Sequence, residues 1–379
     1  MTTAIPGGFQ FTPATGLSDT SAYPTTPANE AAARQQFMDL FYQILNEINA
    51  PTTSAGANSQ NRLFNSNFDV WEKGVSFNPS TTVPTYTANR WTTDAALAGT
   101  NYTISRQDGS GISGSRYCLR YTRTAAATNV NNRAIRQGIE TANTIMLRGK
   151  KATASFYARC GANYSPTSSI LNVLIQTGTG ADESPVGYTG VAMIATLAAT
   201  LTTSWQKYSV TSSAVVASSV NEMNVTIYDT PVGTAGANDY FEITQVQINS
   251  GDIALPYQPK SYQDEEASVQ RYNQRMGGSA YTVFGVGEAI STTRAYVFIP
   301  LLKKMRIVPT LTSSVAAAYR LLANNTSILA TSLGVDTTQS TTDRICVVVD
   351  VAAGLTLGQV VLFTASADST AFINLDAEL

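Results

Sequence analysis

From residue 152 to residue 160 the chain alternates strictly. Ala152, Ala154, Phe156, Ala158 and Cys160 fall on one side, and Thr153, Ser155, Tyr157 and Arg159 on the other. A period of two is the signature of a half-buried β-strand and fits no helix. Similar segments recur at 102–105, 117–121, 170–176, 206–211, 224–228 and 241–248, most of them separated by Gly, Pro, Asn or Ser clusters. Short strands joined by such turns predict an antiparallel sandwich over 61–260. Only 13% of residues are charged, about half the usual ~25%. Ser and Thr fill the polar positions instead, as suits a pleated surface.

A second β-rich stretch follows, with strands expected at 281–286, 295–299, 310–314, 345–351, 360–365 and 371–375. Its length predicts one smaller C-terminal β-sandwich over 278–379. Between the two, the polar run that starts at Gln263 and stops before Gly277 and Gly278 reads as a connector helix over 261–277.

The N-terminal part is different. Residues 1–26 are rich in Pro, Gly, Ser and Thr without apolar periodicity, yet Phe9, Phe11, Leu17 and Tyr23 punctuate them. A mere spacer needs no such residues, so an extended arm that docks onto another protein is expected. Over 27–60 a helix and a linker follow. Thr26 is placed to cap the helix, Pro27 suits its first position, and Glu30 lies where the helix dipole favours a carboxylate. Phe37, Leu40, Phe41, Ile44, Leu45 and Ile48 form its apolar stripe. Flanked by polar linkers, such a helix must bury that stripe on a copy of itself or on another protein, and a parallel three-chain bundle is the preferred arrangement.

Histidine is absent from all 379 residues, which excludes Ser-His-Asp and Cys-His catalysis, His-ligated zinc and imidazole switches. Cys118, Cys160 and Cys346 are odd in number and far apart, as expected of buried thiols folded in a reducing cytoplasm. With 24 basic against 26 acidic residues and no dense basic cluster, nucleic-acid binding is not expected. The densest run, Arg148 to Lys151, reads as a solvated turn. No long apolar window or basic-then-apolar leader appears, so neither membrane insertion nor a secretory signal is expected.

The GxGxxG at 109–114 is followed by the strand pattern YCLRYTR rather than by a helix, and therefore reads as a hairpin turn. Asp182, Glu183, Asp229, Asp239, Glu242, Asp252, Glu265 and Glu266 offer carboxylates, but nothing in the sequence pairs two of them across a substrate. The expected catalytic, cofactor and metal sets are therefore all empty. Trp71 and Trp91 read as packing residues. Tyr164 and Tyr188, in loops containing Gly, Ser and Pro, are the candidate glycan contacts, because an aromatic face with a polar tip stacks on sugar rings.

Several blocks taken together resemble bacteriophage fibre proteins. NRLFN at 61–65, FDVW at 68–71, Gly74 and YTANRW at 86–91 resemble a pattern common in that family. SFYAR at 155–159 resembles its SFWAR strand, and FEITQVQINSGDIALP at 241–256 its last sandwich strand. QRY at 270–272, KMR at 304–306 with Pro309 and Thr310, and DAEL at 376–379 match later parts. Asn89 stands where the family often has Asp, and Tyr157 where it has Trp. The resemblance implies a homotrimeric virion protein with a carbohydrate-binding-like jelly roll, assembled in the host cytoplasm. Its N-terminal arm would grip another virion protein, and its sandwiches would meet host surface polysaccharide without breaking bonds. The alternatives are a purely structural capsid or collar fibre and a polysaccharide depolymerase, although the long β-helix repeats usual for the latter are not evident.

Overall fold

Period-two segments become strands throughout residues 61–79, 84–93 and 101–379, which the computed structural model describes. Phe9, Phe11, Leu17 and Tyr23 of the arm, and Phe37, Leu40, Phe41, Ile44, Leu45 and Ile48 of the helical stripe, lie outside the described residues.

The first β unit comprises β1 (Ser76–Phe77), β2 (Thr92–Thr93), β3 (Tyr102–Asp108), β4 (Tyr117–Arg123), β5 (Arg133–Ile139), β6 (Ala152–Cys160), β7 (Ile170–Gly178), β8 (Ala192–Thr200), β9 (Gln206–Thr211), β10 (Glu222–Asp229) and β11 (Tyr240–Ser250). They form a six-stranded sheet in the order β1-β3-β4-β11-β6-β9 and a five-stranded sheet in the order β2-β5-β10-β7-β8. The chain changes sheet after β1, β2, β4, β5, β6, β8, β9 and β10, which gives the crossing connections of a jelly roll. The side expected to face inward on β6 does so: Ala152, Ala154, Phe156, Ala158 and Cys160 are all buried, alongside Trp91, Tyr121, Ile175, Val225 and Phe241.

The 61–91 segment closes one end of this core through its asparagines. Asn65, with φ of 50°, donates from Nδ2 to the carbonyls of Val70 and Asn89 at 2.8 and 3.0 Å, and accepts from Val70 N at 2.9 Å. Trp91 Nε1 donates to Asn65 O at 3.0 Å, and Trp71 Nε1 to Phe68 O at 2.7 Å. Asn89 Nδ2 donates to Glu72 at 2.9 Å, a bond that an aspartate there could not provide. A β-bulge in β11 turns Val246 N outward to Ser66 O at 3.0 Å, which ties this segment to the sheet.

The second β unit departs from the expected sandwich. β13 (Val283–Ala289), β14 (Arg294–Pro300), β16 (Tyr319–Ala323), β17 (Thr326–Val335), β18 (Arg344–Val351) and β19 (Val360–Ala365) form a closed six-stranded barrel. β13 pairs with β14 on one side and β19 on the other, so no edge remains to face a second sheet. Closure also demands close backbone approach: a Cβ on Gly287 would meet Tyr296 O at 1.9 Å. A three-stranded sheet of β12 (Asn273–Gly277), β20 (Phe372–Asp376) and β15 (Thr310–Ser313) lies beside the barrel. The connector is likewise shorter than expected. Its helix, named α1 here (Tyr262–Val269), is capped by Ser261 Oγ accepting from Asp264 N at 3.2 Å. Residues 273–277 leave it to pair with β20 as β12.

Four charged side chains lie in the sandwich interior. Arg133 donates from Nε to Asp229 at 2.7 Å and from Nη2 to Asp239 at 3.3 Å, while Arg123 reaches Asp239 at 3.3 Å and the Gly233 carbonyl at 2.6 Å. All four are fully buried. Removing one partner leaves an uncompensated charge in the core. Asp229→Asn is expected to lose about 3–5 kcal/mol of stability in urea unfolding. The apolar double variant Arg133→Met, Asp229→Leu should recover most of that loss.

Candidate binding cleft on the five-stranded sheet

The outer face of the five-stranded sheet carries three cross-strand rows. Gly138, Asn224 and Gln176 face one another in the first, Arg136, Thr226 and Leu174 in the second, and Ala134, Tyr228 and Asn172 in the third. Alternation along β5, β10 and β7 sends the intervening Ile135, Ile227, Val225, Val173 and Ile175 into the core, so this outer set is fixed by the pleat. A cleft of about 190 Å³ opens here, lined by Asn132, Ala134, Arg136, Leu174, Gln176, Thr226 and Tyr228.

The loop between β7 and β8 walls one end. Arg136 Nη1 donates to Pro185 O at 3.1 Å, and Asn224 Nδ2 to the same carbonyl at 3.2 Å. Glu222, whose carboxyl is pushed up by burial, accepts from Glu183 N at 2.6 Å. Glu183 in turn accepts from Thr189 N and Oγ1 at 2.6 and 2.7 Å, and these bonds hold its carboxyl below the ordinary value. The cleft is thus a preset shape with an apolar floor at Leu174, an aromatic side at Tyr228 and amide or guanidinium groups around them.

Tyr164 and Tyr188, the expected glycan contacts, are turned into the fold instead. Both are buried, and burial drives both phenols above their ordinary range. Tyr188 folds back with the β7–β8 loop and donates its hydroxyl to Met223 O at 3.0 Å. Tyr164 packs on the core and reaches Ile170 O at 3.3 Å. Gly, Ser and Pro marked these loops as turns, but the turns carry both rings inward. Tyr228, the cleft aromatic, lies within the expected strand 224–228, and no local feature distinguishes it from a core residue.

Trp71 and Trp91 are core residues. The GxGxxG at 109–114 is the β3–β4 hairpin, with Gly109 N bonded to Arg116 O at 3.0 Å. Asp229 and Asp239 are brought together, but onto buried Arg133, out of reach of any substrate. The three cysteines are buried and unpaired. Among the described residues no group of three His, Cys, Asp or Glu side chains could hold a metal ion, and no helix is long and apolar enough to cross a membrane.

No family model matches the chain, and no curated protein matches it. Solved structures resemble it at low identity. A CBM4 structure is 19% identical over 39% of this chain and 74% of its own, with a TM-score of 0.26. The CBM22-2 xylan-binding domain of Paenibacillus barcinonensis Xyn10C is 16% identical over 42% of this chain and 91% of its own, with a TM-score of 0.28. The enzymatically active domain of bacteriophage CBA120 tailspike protein 4 is 11% identical over 50% of this chain and 21% of its own, with a TM-score of 0.28. Likeness of this depth carries no argument about ligand or activity.

Because the Tyr188 hydroxyl anchors the loop that walls the cleft, Tyr188→Phe is expected to lower stability by about 1 kcal/mol, the usual worth of one buried hydrogen bond. Urea unfolding monitored by tryptophan fluorescence measures it.

Proposed function

We propose that the chain is a virion fibre protein that binds host-surface glycan through the cleft over β5, β10 and β7, without cleaving it. One observation carries the reading: an aromatic ring and an apolar side chain share a preset cleft with donors and acceptors that suit sugar hydroxyls. A pyranose presents an apolar C–H face and a rim of hydroxyls, and Tyr228 and Leu174 beside Arg136, Gln176, Asn132 and Thr226 complement both. Among the described residues no carboxylate lines the cleft, and hydrolysis of a glycoside ordinarily needs two. That supports binding over depolymerisation.

The virion assignment is supported by the order of the fibre-like blocks along the chain. Their residues do the work of a scaffold: Asn65, Phe68, Trp91, Tyr272 and Met305 are all buried. The N-terminal arm as virion anchor and the helix at 27–60 as a trimerising element complete the proposal. Three weak sugar sites on one trimer would gain avidity through effective concentration.

The test is adsorption competition, with full-length protein added to host cells before whole phage. The wild type is expected to block adsorption in a dose-dependent way. Tyr228→Ala should need at least about tenfold more protein, equivalent to about 1.4 kcal/mol, with its thermal unfolding unchanged. Equal blocking by both proteins, or none by the wild type at saturation, contradicts the proposal.

A further inference from the structure

A second cleft, of about 660 Å³, lies where the sandwich meets α1 and the barrel unit. Arg62, Lys260 and Lys303 reach it from three different segments, against one carboxylate, Asp264, among the described residues, in a chain whose net charge is −2. That carboxylate is committed elsewhere, since it accepts from Ser261 Oγ at 2.7 Å at the start of α1.

The cations are unequally compensated. Lys260 lies 3.8 Å from Glu265 and 5.0 Å from the Phe64 ring centre. Among the described residues the Arg62 guanidinium has no acidic partner, and its Nε is buried without a hydrogen bond. Burial pulls that guanidinium below its ordinary value, as follows when a charge loses water without gaining a counter-ion. Lys303 is exposed, and among the described residues only its backbone carbonyl is engaged, by Gln274 Nε2. Buried polar atoms are ordinarily satisfied, so an orphaned guanidinium N–H in a roomy cleft marks a place for an acceptor. The half-buried Phe64 ring supplies an apolar wall beside it.

We infer that this cleft binds the anionic group of an acidic saccharide, a carboxylate or a phosphate held by Arg62, Lys260 and Lys303 with the sugar ring against Phe64. The class of ligand rests on the glycan reading above; the site does not, because it shares no residue with the Tyr228 cleft. A charged sugar would thereby be read at the junction, and its neutral segments on the sheet. Charge-assisted bonds of this kind are strong where water is excluded, yet they weaken as salt rises.

Isothermal titration of the full-length protein tests the inference. Trigalacturonate supplies the carboxylate arm, glucose 6-phosphate the phosphate arm, and neutral galactotriose the control, each at low and high salt. At least one anionic probe is expected to bind, more weakly at high salt, and which arm binds identifies the anion. Arg62→Gln and Lys303→Gln should each weaken that binding at least tenfold, while Tyr228→Ala leaves it unchanged. The Lys303 variant guards against misfolding, because only the backbone at that position is bonded. Absence of binding by both anionic probes overturns the inference. So does equal binding of the neutral control, or binding that Tyr228→Ala removes and both cation variants keep.

Discussion

The guanidinium of Arg90 joins the two β units. It is buried against the carboxylate of Glu378, near the end of the chain, and its Cζ lies 3.6 Å from the centre of the Tyr272 ring. Its Nη2 also donates to the carbonyl of Gly138 on β5 at 2.9 Å. Around it the last residues are fastened on both sides. Tyr86 donates to Leu379 O at 2.7 Å from the sandwich, while Arg306 donates to the carbonyls of Ala377 and Glu378 at 2.9 and 2.6 Å from the barrel unit. Glu140 and Arg271 add a further ion pair across the same junction. An ion pair this deep is costly to desolvate and costly to break. The reward for keeping it is geometric: it holds β5 at Gly138, beside the cleft on the outer face.

That junction also explains why the fibre-like blocks look scattered in sequence. Arg90 belongs to one, Tyr272 to another, Arg306 to a third and Glu378 to the last, and all four meet within a single cluster. The motif is therefore a structural signature. Its residues hold the sandwich and the following β unit together, and none of these four lines the cleft.

Much of the strand layout was legible because half-buried strands alternate. β6 was read to the residue, and β9 as well. β5 was missed because it carries no apolar alternation: polar Arg133 and Gln137 share its inner face with Ile135 and Ile139. β8 was missed for the opposite reason: it is an edge strand with small apolar residues such as Ala192 and Ala198 left in the open. Omitting β16 and β17 turned a closed barrel into an expected sandwich, since closure depends on strand count and not on any local pattern. The cleft over β5, β10 and β7 was not legible at all. Ala134, Asn172 and Tyr228 lie far apart in the chain and become neighbours only through pairing. Arg62, Lys260 and Lys303 meet in the same way across three segments, as does the buried set of Arg123, Arg133, Asp229 and Asp239.

If Arg90 and Glu378 lock the sandwich and the barrel into one cooperative unit, the two must open together. Native-state hydrogen exchange on the slowest amides of β10 and β11, compared with those of β18 and β19, measures this directly. The account predicts one shared opening free energy in the wild type, and two separate, lower values in Glu378→Ala. Different values already in the wild type, or shared values that Glu378→Ala leaves unchanged, would contradict it.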